Sequence, residues 1–339
     1  LARAASFSPG FVKTVEGLVR LAENPDPETA DPRNARDALN AELLPEGFLA
    51  EIEWQRGPSG APALVLSSSR ILEIDEFALD GKPHVGYLVR GDGTIPAGED
   101  GYSTHEGVIV VREEAVERTV MVSFWPQFDS LLRERGPSLL EELRRVLGTD
   151  PTAFFLRHVR FFALRAQFAE EFRRLGKPFV DTPGALRSNL SPDWQIELRE
   201  YAETRRWLTA DHPDFLEVKA KLMREFTRAV RAHELAHERA LPADGETIAY
   251  INEILVTPLA VFGVVRTAFR GLSGGMSGLT PAEAKKILRL VGRSLGLPEG
   301  DPVEADFFRA LPRLNFPLFL SRLEEEYRRE FQRAPAVRP

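Results

Sequence analysis

The sequence predicts an α+β protein: a small, mostly antiparallel sheet in the N-terminal third, then a helical region and a helical C-terminal tail. Two observations carry the prediction. Apolar residues alternate with polar ones only between Phe48 and Phe124, where turn pairs such as Asp80-Gly81 and the Gly91-Asp92-Gly93 run also concentrate. Before that stretch, and in the successive helical segments after Pro126, apolar residues recur every three or four positions instead.

In order, residues 9 to 23 carry Phe11, Val12, Val15, Leu18, Val19 and Leu21 at helical spacing, and 34 to 44 repeat the habit with Ala38, Leu39, Leu43 and Leu44. The Pro- and Asp-rich segment between them reads as a loop. Phe48, Ala50, Ile52 and Trp54 open the strand region. Further strands are expected at 63 to 67, 70 to 75, 84 to 90, 107 to 112 and 119 to 124, with Glu113 to Glu117 able to open a helix instead.

Helices are then expected at 136 to 147 and 151 to 175, the second capped by Asp150 before Pro151. Phe154, Phe155, His158, Phe161, Phe162, Leu164 and Phe168 form its apolar stripe, and His158 reads as a core histidine. A loop is expected from Lys177 to Asn189, then helices from Ser191 to Ala210, from about His212 to Leu241, and from Glu246 to Phe269. Gly271 to Gly278 reads as a linker; it lacks the Gly-Lys-Ser/Thr ending and preceding strand of a phosphate loop. Helices at 280 to 296, with Thr280 as cap, and across 302 to 333 complete the chain. The expected organisation is therefore 1–47 helical, 48–125 β-rich, 126–270 helical, and 271–339 a linker with a C-terminal helical subdomain.

Composition excludes several functions. A net charge of -7 argues against nucleic acid as a partner, since phosphate binding needs a basic surface. The absence of cysteine removes thiol catalysis, Cys-type zinc sites and disulfides. No transmembrane segment is expected: the longest apolar run, Ile254 to Val265, is broken by Thr257 and Pro258 and falls far short of the roughly 20 residues a spanning helix needs. A cytoplasmic location is expected, with a secreted or anchored precursor left open by the start at Leu1. The sequence says nothing of oligomeric state.

One stretch carries chemistry. Within Arg231 to Leu255, His233-Glu234-Leu235-Ala236-His237 is an HExxH pentapeptide in a chain with six histidines. Residues four apart lie on one helix face, so both imidazoles can aim at one metal ion, with Glu234 beside them to act on a metal-bound water. Both histidines extend an apolar stripe of Phe215, Val218, Leu222, Phe226, Ala229 and Val230, which places them in a dry setting. A catalytic zinc wants a third protein ligand. Pro242 to Gly245 reverses the chain, and Glu246 and Glu253, seven apart on one face of the next helix, both qualify by spacing.

This stretch resembles the gluzincin branch of the zincin metallopeptidases, in which HExxH is completed by a Glu on the next helix. HELAHERA followed by Ala-Asp-Gly-Glu is similar to a group of bacterial metallopeptidases whose signature runs HELAH, a short spacer and a Glu that opens the second helix. The resemblance covers about 25 residues and implies a zincin-like helical region holding Zn2+ on His233, His237 and Glu246. Thr247-Ile248 departs from that signature, and Ile251-Asn252-Glu253 is similar to the thermolysin-like motif, which implies Glu253 instead. The resemblance further implies a peptide or protein substrate hydrolysed with Glu234 as general base. Tyr250, one turn beyond Glu246, is a candidate oxyanion donor or else a packing tyrosine. A substrate strand is expected to pair with an exposed edge at Gly107 to Arg112 or Thr119 to Phe124. The alternative is a catalytically inactive zincin-like or helical protein serving as a binding or structural module. His105-Glu106, with no second histidine at i+4, reads as a turn or strand end.

Overall fold

The computed structural model describes residues 8–23, 32–56, 62–79, 82–91, 101–103, 107–120, 137–148, 152–207, 213–237, 244–274 and 278–332. The fold class is α+β, with a five-stranded sheet in the N-terminal third and helices after it. The chain forms two compact units, Leu1–Glu117 and Arg118–Pro339.

In the first unit, α1 (Pro9–Glu23) and α2 (Arg33–Leu43) precede β1 (Phe48–Arg56), β2 (Pro62–Leu79), β3 (Lys82–Arg90), β4 (Gly101–Ser103) and β5 (Val108–Arg112). The strand order is β1-β2-β3-β5-β4; β3 and β5 run parallel and the other three pairings are antiparallel. Successive side chains face opposite ways, so Ala50 and Ile52 pack with Leu18 and Leu39 of the helices, while Leu49 packs with Val89 and Val110 on the other face. Glu51 shares the face of Leu49. It is tolerated there because Arg112 Nη2 lies 2.7 Å from its carboxylate and the Ser69 hydroxyl donates to it at 3.2 Å.

Those last contacts explain one departure from expectation. Two strands were expected at 63 to 67 and 70 to 75, but β2 is continuous. Its first half pairs with β1 and its second with β3, and Ser69 and Ser67 face inward as buried residues of the ladder. A second departure lies at the expected strand 119 to 124. Glu113–Arg118 is a helix, α3, with acidic residues in its first turn and Arg118 in its last, as the helix dipole favours. Thr119 and Val120 continue its winding, and 121 to 124 lie outside the described residues. Nor does Gly107 to Arg112 offer a free edge: β5 is hydrogen-bonded to β3 on one side and β4 on the other.

The second unit contains α4 (Pro137–Leu147), α5 (Thr152–Arg174), α6 (Pro183–Asn189), α7 (Gln195–Trp207), α8 (Pro213–His237), α9 (Gly245–Val256), α10 (Ala260–Leu272), α11 (Pro281–Leu295), α12 (Glu304–Ala310) and α13 (Phe316–Phe331). Leu164 and Phe168 of α5 are buried with Phe172, Leu186, Leu190 and Tyr201. The expected Asp150 cap and the side chain of His158 lie outside the described residues, as does His105-Glu106. The expected loop from Lys177 to Asn189 contains α6, because the Thr182 hydroxyl accepts from Ala185 N at 3.2 Å and Pro183 is preset for a first helical turn.

The expected single helix from Glu246 to Phe269 is two. Pro258 has no N–H and disfavours helical backbone at Thr257, which is extended at φ -135° and ψ 111°. Thr257 is fully buried, its hydroxyl donating to Glu225 of α8 at 3.2 Å, and α10 restarts at Ala260. As expected, Thr280 caps α11 and the helix ends at Gly296, in the left-handed region at φ 76°; the structure adds that Thr280 and Glu283 form a capping box. Among the described residues, no helix is long and apolar enough to cross a membrane.

Candidate metal centre

The site is built where α8 and α9 pack along each other. On α8, Val218, Leu222, Phe226, Ala229 and Val230 are buried, and the stripe continues into Ala232, Glu234, Leu235 and Ala236. The last turn of that helix is therefore fixed on several sides, and with it the two histidines, whose side chains are 13% and 28% exposed at 233 and 237. Helix α9 is buried around most of its circumference, through Ile248, Ala249, Ile251, Asn252, Ile254, Leu255 and Val256. Each of its isoleucines contributes about 1.5–3 kcal/mol by burial. That packing sets the register in which its polar residues meet α8.

His233, His237 and Glu246 converge. One donor atom from each lies within 4.8 Å of the other two. Glu246 spans the pair: its Oε2 is 3.6 Å from His233 Nε2 and its Oε1 3.6 Å from His237 Nε2. The rings themselves stand 4.9 Å apart at 66°. Two imidazole nitrogens and one carboxylate could hold a metal ion, and Glu246, 36% exposed, leaves the cluster open on one side. Among the described residues this is the one such group of His, Asp and Glu side chains.

Glu253 is not part of that group. Its Oε1 lies 2.6 Å from Nδ1 of His233, the nitrogen on the other edge of the ring. The seven-residue separation from Glu246, about 10 Å along a helix, carries Glu253 past the donor cluster and onto the far side of the same imidazole. Spacing alone placed both glutamates on one face; the helix packing decides which nitrogen each one meets. An acceptor on Nδ1 fixes the tautomer that leaves Nε2 free as a ligand and raises its basicity.

The electrostatics follow. Burial lowers the basicity of His233, but the hydrogen bond to Glu253 and the charges of Glu253, Glu234 and Glu246 outweigh it and raise its pKa to about 9. For His237, burial and then the neighbouring His233 push the pKa down to about 4. One ring thus holds a proton at neutral pH and the other is already a neutral donor.

Glu234 is buried and close enough to His233 for its charge to act there. The Tyr250 ring packs edge-on against His233, with centroids 4.8 Å apart at 85°. Its contact with the ring is that of a packing tyrosine. Sequence reasoning missed what holds the head of α9: the carboxylate of Asp244 accepts from Lys286 Nζ of α11 at 2.8 Å. Lys286 lies 42 residues downstream, and no local pattern marks the pair. Comparison with protein-family models, curated proteins and solved structures returned no match, so the site's own chemistry carries the functional reading.

Proposed function

We propose that the chain is a zinc-dependent metallopeptidase. The observation that carries this reading is the convergence of His233, His237 and Glu246 within 4.8 Å, with Glu234 buried beside them. In this reading the three side chains hold Zn2+, which supplies a Lewis acid and an acidified water. Glu234 takes the proton from the attacking water and passes it to the leaving amine, a role suited to a carboxylate held next to the donors rather than among them. Glu253 orients His233. Tyr250, packed edge-on against His233, is the candidate donor to the developing oxyanion.

The residues fit the ion on chemical grounds. Nitrogen and carboxylate donors without thiolate suit zinc in a hydrolytic site, and the exposed flank at Glu246 leaves room for water and substrate. The test is peptide hydrolysis by the full chain and by Glu234→Gln. Loss of cleavage with zinc retained supports the role of Glu234 as base; undiminished cleavage by the variant removes it.

One observation favours a second reading. A protonated His233 between Glu253 and Glu246 satisfies the three groups as an ion pair without any metal. That arrangement suits an inactive binding or structural module. Its signature is a protein whose stability changes with His233→Ala but which takes up no zinc.

A further inference from the structure

Asp244 occupies the N-cap position of α9, where an aspartate ordinarily accepts a hydrogen bond from the first turn. It makes no such bond. Its carboxylate is taken instead by the Lys286 ammonium at 2.8 Å, and the same ammonium lies 3.1 Å from Glu330 of α13 and 4.7 Å from the centre of the Phe331 ring. Lys286 therefore ties the head of α9 to two C-terminal helices at once. Arg293, on the same helix, reinforces that seam through Glu326 at 2.7 Å.

Glu246 stands two residues beyond Asp244, in the first turn of α9. The first turn is where a helix frays and where its own hydrogen bonds hold least. A capping bond would secure the turn internally but would not fix it against a neighbour. The bond to Lys286 does fix it, and the distance of Glu246 from both imidazoles depends on that placement.

We propose that Lys286 is a positioning residue for the metal centre: by holding Asp244, it sets where the Glu246 carboxylate stands against His233 and His237. This rests on the metal-centre reading above. Lys286 touches no reacting group, and its effect is transmitted through Asp244 and the first turn of α9. An ammonium neutralised by two carboxylates also adds little repulsion towards a bound cation.

The test is zinc affinity of the full chain, measured by competition with a chelating dye. Lys286→Met and Asp244→Ala, which each remove the bond, are expected to weaken binding by about tenfold, the low end of what losing a ligand's own outer-shell partner costs. The double variant should bind no more weakly than either single one, because both remove the same bond. Lys286→Arg should recover most of the affinity, and Lys285→Met, which removes a pair with the exposed Asp301, should leave it unchanged. Cobalt(II) gives a second readout. Its absorption bands should shift in Lys286→Met, through altered coordination by Glu246, and stay in place in Leu288→Ala, a core variant of the same helix. Wild-type affinity in Lys286→Met or in Asp244→Ala overturns the proposal while leaving the metal centre standing. A wild-type chain that binds no zinc overturns both.

Discussion

Glu253 Oε1 lies 2.6 Å from His233 Nδ1, on the opposite edge of the ring from Glu246. The two glutamates of α9 thus address one imidazole from two sides, and their substitution should give different results. Glu246→Ala removes a donor and should abolish tight zinc binding. Glu253→Gln keeps a hydrogen-bond acceptor but loses the charge, and should weaken binding by roughly 10- to 100-fold without abolishing it. Isothermal titration of the two variants distinguishes these outcomes; equal losses would contradict the assignment.

The same contact predicts proton release. At pH 7 the metal-free protein carries a proton on His233, whose pKa is raised to about 9, and none on His237, whose pKa is lowered to about 4. Zinc must displace the His233 proton, so binding near pH 7 should release about one proton from this pair. Calorimetry in buffers of different ionisation enthalpy measures it. In Glu253→Gln the release should fall, because the group that holds the proton there has lost its charge.

Stability of the metal-free protein should follow both shifts. A raised pKa at His233 stabilises the fold fully below the ordinary histidine value of about 6.5, and that contribution fades as pH rises through about 9. A lowered pKa at His237 acts in the opposite sense: its neutral form is accommodated above about 6.5, and stability falls as pH drops towards 4. The contribution of the pair is therefore greatest near pH 6.5. Thermal melts across pH 4 to 10 in the presence of chelator should show it, and His233→Gln should flatten the alkaline side.

Ile251 is fully buried on α9, between Glu246 and Glu253. Ile251→Ala should cost about 2–5 kcal/mol by denaturant unfolding, from lost transfer energy and the cavity left behind. A cost below about 1 kcal/mol would contradict the placement of α9 in the core.

How far the sequence reveals this depends on how local the cause is. The α8 stripe from Val218 through Phe226 to the histidines is legible because one helix face repeats, and the start of α11 is legible because Thr280 and Glu283 are three residues apart. The continuity of β2 is not, since the buried Ser69 is satisfied by Glu51 of a neighbouring strand. Pro258 is visible in the sequence, but the apolar residues on both sides of it keep a helical spacing that conceals the break between α9 and α10. The choice between Glu246 and Glu253 is hidden for a related reason: seven-residue spacing gives them a common face, and only the packing of α9 on α8 assigns each to its own edge of His233. The Asp244–Lys286 bond joins residues too distant for any periodicity to connect.

The most direct test of the central claim is the zinc content of the purified full chain, prepared from zinc-replete medium without chelator and then desalted. The account predicts about one zinc per chain in the wild type and in Glu234→Gln, and close to none in His233→Ala or Glu246→Ala. A folded wild-type protein that emerges free of metal, or His233→Ala protein that retains it, would contradict the metal centre.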